Sequence, residues 1–212
     1  MWYRTLLGLA LLATVASTGS SQETATRVAG RVESRLWIEG SSNLSRWSCK
    51  ATSVDAAIYV DSNAADFATL VRHVRSVTVR VPVAALTCGH APMDRSLRAA
   101  LNADDAPASA NIVATLDAIT GDDSASHTVH TAGSLRLAGR ENAVKVDLST
   151  SLGDDGLEAR GELPIRMSEY GIVPPTGLFG AIRCADRVVV KFALTVVSEA
   201  SAVSATALSL PH

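Results

Sequence analysis

The chain has 212 residues, of which 47% are hydrophobic and 19% charged, with a formal net charge of -2. That length fits one domain plus an export segment, and the hydrophobic share excludes a disordered chain. The near-neutral balance, with its arginines scattered, leaves no basic footprint for nucleic acid and no polybasic membrane patch.

Residues 1–4 give a short positive start, and 6–16 (LLGLALLATVA) form an apolar run too short to span a bilayer. Small residues follow, from Ala16 to Ser21. Residues 1–21 therefore read as a cleavable signal peptide, with a buried N-terminal helix as the alternative. The segment contains no cysteine, so no lipoprotein anchor is expected. Residues 22–31 are polar and small, a flexible mature N-terminus. No later stretch is long enough to cross a membrane as a helix. The expectation is a periplasmic or secreted protein without stable membrane insertion.

From residue 32 a period of two takes over. Leu36 and Ile38 alternate with Arg35 and Glu39. The segment 47–60 is extended but less regular, as a bulge would make it. Val77, Val79, Val81 and Val83 alternate with Thr78, Arg80, Pro82 and Ala84. Ile112, Ala114, Leu116 and Ala118 make the next set, then Val129, Thr131, Gly133, Leu135 and Leu137. Val144, Val146 and Leu148 follow. Leu157, Ala159, Gly161, Leu163, Ile165 and Met167 alternate with Glu158, Arg160, Glu162 and Arg166. Val188, Val190, Phe192, Leu194 and Val196 close the series, and 199–212 read as a C-terminal tail.

Turn residues at 40–43, 121–124, 139–142 and 153–156 join these runs as hairpins. No strand-helix alternation is present, so a parallel α/β sheet is not expected. The fold class is all-β: an antiparallel eight-stranded up-and-down (lipocalin-like) barrel with one or two short helices. The helical candidates are 64–74, with Phe67, Leu70, Val71 and Val74 at helical spacing, and 92–103, with Met93, Leu97, Ala100 and Leu101. Each either covers a barrel mouth or packs on the wall.

Several segments, in order, resemble the YceI family of periplasmic lipid-binding proteins. They are 36–47 (LWIEGSSNLSRW), 81–86 (VPVAAL) followed by Met93-Asp94 and 99–101 (AAL), 132–139 (AGSLRLAG), and 167–172 (MSEYGI) with Pro174, Pro175, Thr176 and Gly180. The resemblance covers residues 32–198. It implies an antiparallel barrel around an apolar lumen that holds a polyisoprenoid or another long amphiphile. The cysteines stand at positions that are often not Cys in such relatives, and the interior set is rich in alanine.

The resemblance and the alternation together nominate the lumen. Its candidates are Leu36, Ile38, Val79, Val81, Ile112, Ala114, Leu116, Leu135, Leu137, Val146, Leu148, Ala159, Leu163, Ile165, Val190, Phe192 and Leu194. Small residues (Ala114, Ala118, Gly133, Ala159, Gly161) leave room inside; the competing reading is that these side chains meet and fill the interior. Lid or head-group candidates are Met93, Arg95, Leu97, Arg98 and Leu101, together with Arg183 and the loop 174–180. Arginine suits a phosphate or carboxylate, although each of these also serves as a plain surface cation.

No catalytic constellation emerges. His127 and His130 would face opposite sides of a strand, no GxSxG elbow is present, and Asp154 and Asp155 adjoin in a turn. No metal site has the required spacing. Three cysteines remain in the mature chain. Cys49 near the start of one strand and Cys88 near the end of the next favour a disulfide over a pairing with Cys184. The chain thus reads as a non-enzymatic carrier or store of an isoprenoid-type lipid, without other cofactors and with a homodimer left open. The alternative is a collapsed barrel acting as an envelope stress or interaction module.

Overall fold

Alternating residues put one apolar face on every strand, and those faces share one interior. The structure is a computed structural model, and it describes residues 26–27, 31–60, 73–101, 110–123, 125–153 and 156–197. The strands are β1 (Thr26–Arg27), β2 (Arg31–Ser41), β3 (Arg46–Ala51), β4 (Asp55–Val60), β5 (Val74–Pro82), β6 (Leu86–Thr87) and β7 (Asn111–Asp123). There follow β8 (Thr128–Leu137), β9 (Arg140–Gly153), β10 (Gly156–Arg166), β11 (Thr176–Gly177), β12 (Ile182–Arg183) and β13 (Arg187–Val197). Among the described residues, an α-helix, α1 (Ala91–Ala100), lies between β6 and β7.

The described strands form an 11-stranded sheet in the order β1-β4-β5-β7-β8-β9-β10-β13-β2-β3-β6, with β11 and β12 as a separate hairpin. The all-β antiparallel class holds, but the eight-stranded closed barrel does not. Part of the difference lies in 47–60, which breaks into β3 and β4 instead of bulging. Thr52 turns the chain there by donating its N–H and its hydroxyl to the Ala85 carbonyl, at 2.8 and 3.0 Å. The short β1 and β6 add to the two edges, which do not pair with each other. The sheet is therefore curled around its interior.

The gap between the edges is crossed by the chain itself. After β5, a 3-10 turn at Val83–Ala85 carries it to β6, which pairs with β3 through Lys50 and Thr87 and through Ala51 and Leu86. A disulfide from Cys49 to Cys88 fastens this crossing.

Two turns show why the hairpins close where they do. At 138–139 both residues have positive φ (Ala138 48°, Gly139 77°), the two-residue turn whose twist matches the strands it joins. The expected turn at 121–124 falls later, because β7 runs on to Asp123. The Asp123 carboxylate then accepts from Ala125 N–H at 3.1 Å and from the Ser126 hydroxyl at 2.8 Å, and the reversal occupies 125–127. Pro164 marks where the sheet parts: β9 pairs with β10 only as far as Leu148 and Gly161, so the missing N–H of Pro164 falls on an unpaired side. The 3-10 segment Met167–Tyr170 lies near that opening, where Asn142 Nδ2 donates to the Glu169 carbonyl at 3.1 Å.

The core runs along the curl. Val81, Leu135, Val146, Ile165 and Val188, all buried, come from five strands. Thr131, the buried polar residue among them, donates its hydroxyl to the Val146 carbonyl at 2.8 Å. The helical candidate at 64–74 falls outside the described residues up to 72, and its Val74 opens β5. The expected signal peptide, 1–21, and the expected C-terminal tail, 199–212, also lie outside them.

Gly133 admits no side chain, since an added Cβ would run into the backbone of Thr115 and Leu116 on β7. Gly133→Ala is expected to destabilise the fold by about 1–3 kcal/mol, as overpacking at an unyielding site does. The measurement is the urea midpoint with an unchanged m-value; an unshifted midpoint would contradict the close approach.

Candidate apolar binding site

The inward residues do not fill the space they enclose. A cavity of about 140 Å³ lies toward α1, and a second of about 90 Å³ lies toward the other end of the sheet. The α1-side cavity takes Leu36, Ile38, Val79, Val81, Ile112, Ala114, Leu135, Leu137, Val146, Leu163, Ile165 and Val190 from the nominated set. The far cavity takes Leu148 and Ala159, while Leu116, Phe192 and Leu194 line both. Ala118 lines the far cavity as well, whereas Gly133 and Gly161 border neither.

Hydrocarbon dominates both walls. Among the described residues, Arg35 is the one charged residue bordering the α1-side cavity, and its guanidinium lies 3.6 Å from Glu158 on the exposed side. In the far cavity Arg75 is the charged residue on the wall among the described residues, and Thr131 and Thr150 have their hydroxyls committed to backbone carbonyls, those of Val146 and His127. His130 Nδ1 lies 2.7 Å from Asp147 on the outer face, and no cluster among the described residues could hold a metal ion.

The lid is built by one carboxylate. Pro92 opens α1, and Asp94 in its first turn reaches back to accept the Cys88 N–H at 2.6 Å and the Thr87 hydroxyl at 3.0 Å. These bonds and the disulfide fix the start of the helix against β3 and β6. Leu97, Ala100 and Leu101 then border the α1-side cavity. Met93, Arg95 and Arg98 do not, and Arg95 points to solvent. The helix therefore supplies an apolar cover, and its arginines are not set at the cavity. Arg183 does not border either cavity, and its Nε donates to the Gly180 carbonyl at 3.2 Å. Among the described side chains of the loop 174–180, Pro175 borders the cavity.

Several lining residues escape the alternation argument. Val144, Met167 and Val188 follow the same period and could have been nominated with the rest. Val54, Ile172 and Pro175 complete the α1-side wall from irregular backbone, where no period applies, and Trp47 joins them from the short β3. Trp47 packs across Gly40, whose missing Cβ leaves space for the indole. Its Nε1 is buried without an oxygen or nitrogen acceptor and faces the Cys184 thiol. Burial pushes that thiol above its ordinary value, against a smaller opposing pull from the indole N–H.

A family model described as YceI-like domain matches residues 17–196. Among solved structures, BcnA of Burkholderia cenocepacia superposes with a TM-score of 0.61 at 18% identity, covering 78% of this chain and 96% of that one. A polyisoprenoid binding domain from Saccharophagus degradans, implicated in plant cell wall breakdown, gives 0.56 at 12% identity, over 78% and 94%. The YCEI protein of Campylobacter jejuni gives 0.51 at 15% identity, over 71% and 84%. No curated protein sequence matches.

The Cys88 N–H, above all, holds the Asp94 carboxyl below its ordinary value of 3.8; the Thr87 hydroxyl adds to this, and desolvation opposes it. A depressed folded-state value means that the stabilisation is present above pH 3.8 and is lost as pH falls through the folded value. Hydrogen exchange at the Cys88 amide should therefore accelerate through that acid window. Asp94→Asn should exchange faster at neutral pH and lose this acid dependence; an unaltered pH profile would remove Asp94 from the lid.

Proposed function

The chain belongs to the YceI-like domain family, and on that premise we propose that it is an exported binding protein holding an isoprenoid or similar long apolar lipid between its strands. The observation that carries this reading is the pair of mostly hydrocarbon-walled cavities, the first of them covered by the apolar face of α1. A solved family fold described as a polyisoprenoid binding domain supports the ligand class. The apolar run at 6–16 supports export to the periplasm or beyond.

Binding would rest on burial without directional contacts. Moving a five-carbon isoprene unit out of water is worth about 4 kcal/mol, at about 0.8 kcal/mol per methylene-sized group, before ordering costs. A cavity of about 150 Å³ holds a benzene ring. The α1-side cavity, at about 140 Å³, therefore suits one branched segment of such a chain as it stands. Longer chains need both cavities or a displaced lid. The disulfide and Asp94 hold the start of α1, which leaves its C-terminal half, with Leu97 and Leu101, as the part that moves.

A competing reading, an interaction module that works through its outer surface, draws on Leu44, Val173 and Phe179. These stand 70%, 82% and 112% exposed on loops near the α1-side end of the sheet. The two readings separate on the purified protein. Lipid extraction and native mass spectrometry should find an apolar chain on the wild type, and Ala114→Phe, which fills the α1-side cavity, should lose it while keeping its melting temperature. Lipid retained at wild-type level in a folded Ala114→Phe protein would overturn the lumen as the site.

A further inference from the structure

The two cavities are neighbours that do not merge, and the side chains between them are Leu116, Phe192 and Leu194. Phe192 is the aromatic one. On β13 it stands opposite Gly161 of β10 on one side and Leu36 of β2 on the other. A Cβ built on Gly161 would collide with the far edge of the Phe192 ring and lie 3.0 Å from Leu148 Cδ2. The ring thus lies over the one inward position of β10 that has no side chain. Gly161 is the recess and Phe192 the plate that rests in it.

We propose that Phe192 is the length-selecting residue of the lumen, a partition that ends the α1-side cavity and must swing aside before an apolar chain can extend into the far one. This rests on the lipid-binding reading above. The physical basis is that, of the three side chains shared by the two cavities, Leu116 and Leu194 are aliphatic and Phe192 alone is aromatic, so its ring is the widest obstacle between them. Because Gly161 gives the ring its place, any added carbon there would drive it further across the lumen.

Geraniol and geranylgeraniol, each kept below its aggregation limit, serve as short and long probes. Quenching of Trp47, which borders the α1-side cavity, reports occupancy, and calorimetry reports affinity independently. Phe192→Ala should raise the long-to-short affinity ratio tenfold or more by joining the two cavities. Phe192→Val, a milder loss of volume, should move the ratio in the same direction by a smaller factor. Gly161→Ala should lower the ratio while leaving geraniol binding within about threefold. Wild-type geraniol binding with a ratio unchanged in the folded Phe192→Val and Gly161→Ala proteins would overturn the partition and leave the binding reading intact. A wild type that binds neither alcohol would overturn the reading itself and the partition with it.

Discussion

Every long strand of this sheet turns its apolar face to one shared interior, and the inward side chains are too small to fill it. Alternation supplies the first half of that constraint: Val79, Val81, Leu135, Leu137, Leu163 and Ile165 all lie on the same side because side chains on a strand change faces at each residue. Composition supplies the second half. Ala114, Ala118 and Ala159 stand where larger aliphatic residues would have met across the curl. The result is two voids with walls that are mostly hydrocarbon. Empty apolar volume costs stability, since its lining atoms lose their dispersion partners. A chain of apolar carbons restores those contacts, which is why the same geometry that weakens the fold favours such an occupant.

The α1-side end needs more than sheet chemistry, because the sheet's edges do not meet. The chain covers this gap by crossing from β5 to β6, and three local devices hold the crossing in place. They are the Cys49–Cys88 disulfide, the Asp94 carboxylate on the Cys88 N–H, and the Thr52 bonds to Ala85. All three act on 83–94, immediately before the helix turns its apolar residues toward the cavity. Anchoring is thus concentrated at the N-terminal side of α1, while Leu97, Ala100 and Leu101 are held by apolar packing. A cover that must admit a ligand is better held by non-directional contacts than by a hydrogen-bonded lock.

Much of this was legible in the residues. The strands with strict alternation, β5, β8, β9, β10 and β13, lie where the pattern put them, because a buried face penalises any slip by one residue. The inward side chains nominated from that pattern border one cavity or the other. Most of what the pattern missed lies where no period operates. Val54, Ile172 and Pro175 reach the cavity from turns and loops, and Trp47, on the short β3, is placed by its packing over Gly40, its partner on β2. The division of 47–60 into two strands was hidden because it depends on Ala85, a partner far along the chain. The lid arginines failed for a related reason. Helical spacing shows which residues share a face, but not which face the disulfide and Asp94 turn inward.

The outer face bears on the same register. On β13, Lys191 points outward and its Nζ lies 3.0 Å from Glu39 of β2 and 3.4 Å from Glu162 of β10. These carboxylates raise the lysine's affinity for its proton, chiefly through the Glu39 hydrogen bond. Such partly exposed pairs contribute little to stability, so their weight lies in specificity. The pairing that sets Lys191 opposite Trp37 and Glu162 also sets the next residue, Phe192, opposite Leu36 and Gly161. A slip of β13 by one residue would bring Lys191 into the hydrocarbon interior and move Phe192 out of it, and burying an unpaired ammonium there would cost several kcal/mol. The ion pairs outside and the ring over its glycine inside are therefore two faces of one register. The charged row makes the slipped register the costly one, and so keeps the aromatic ring in the middle of the lumen.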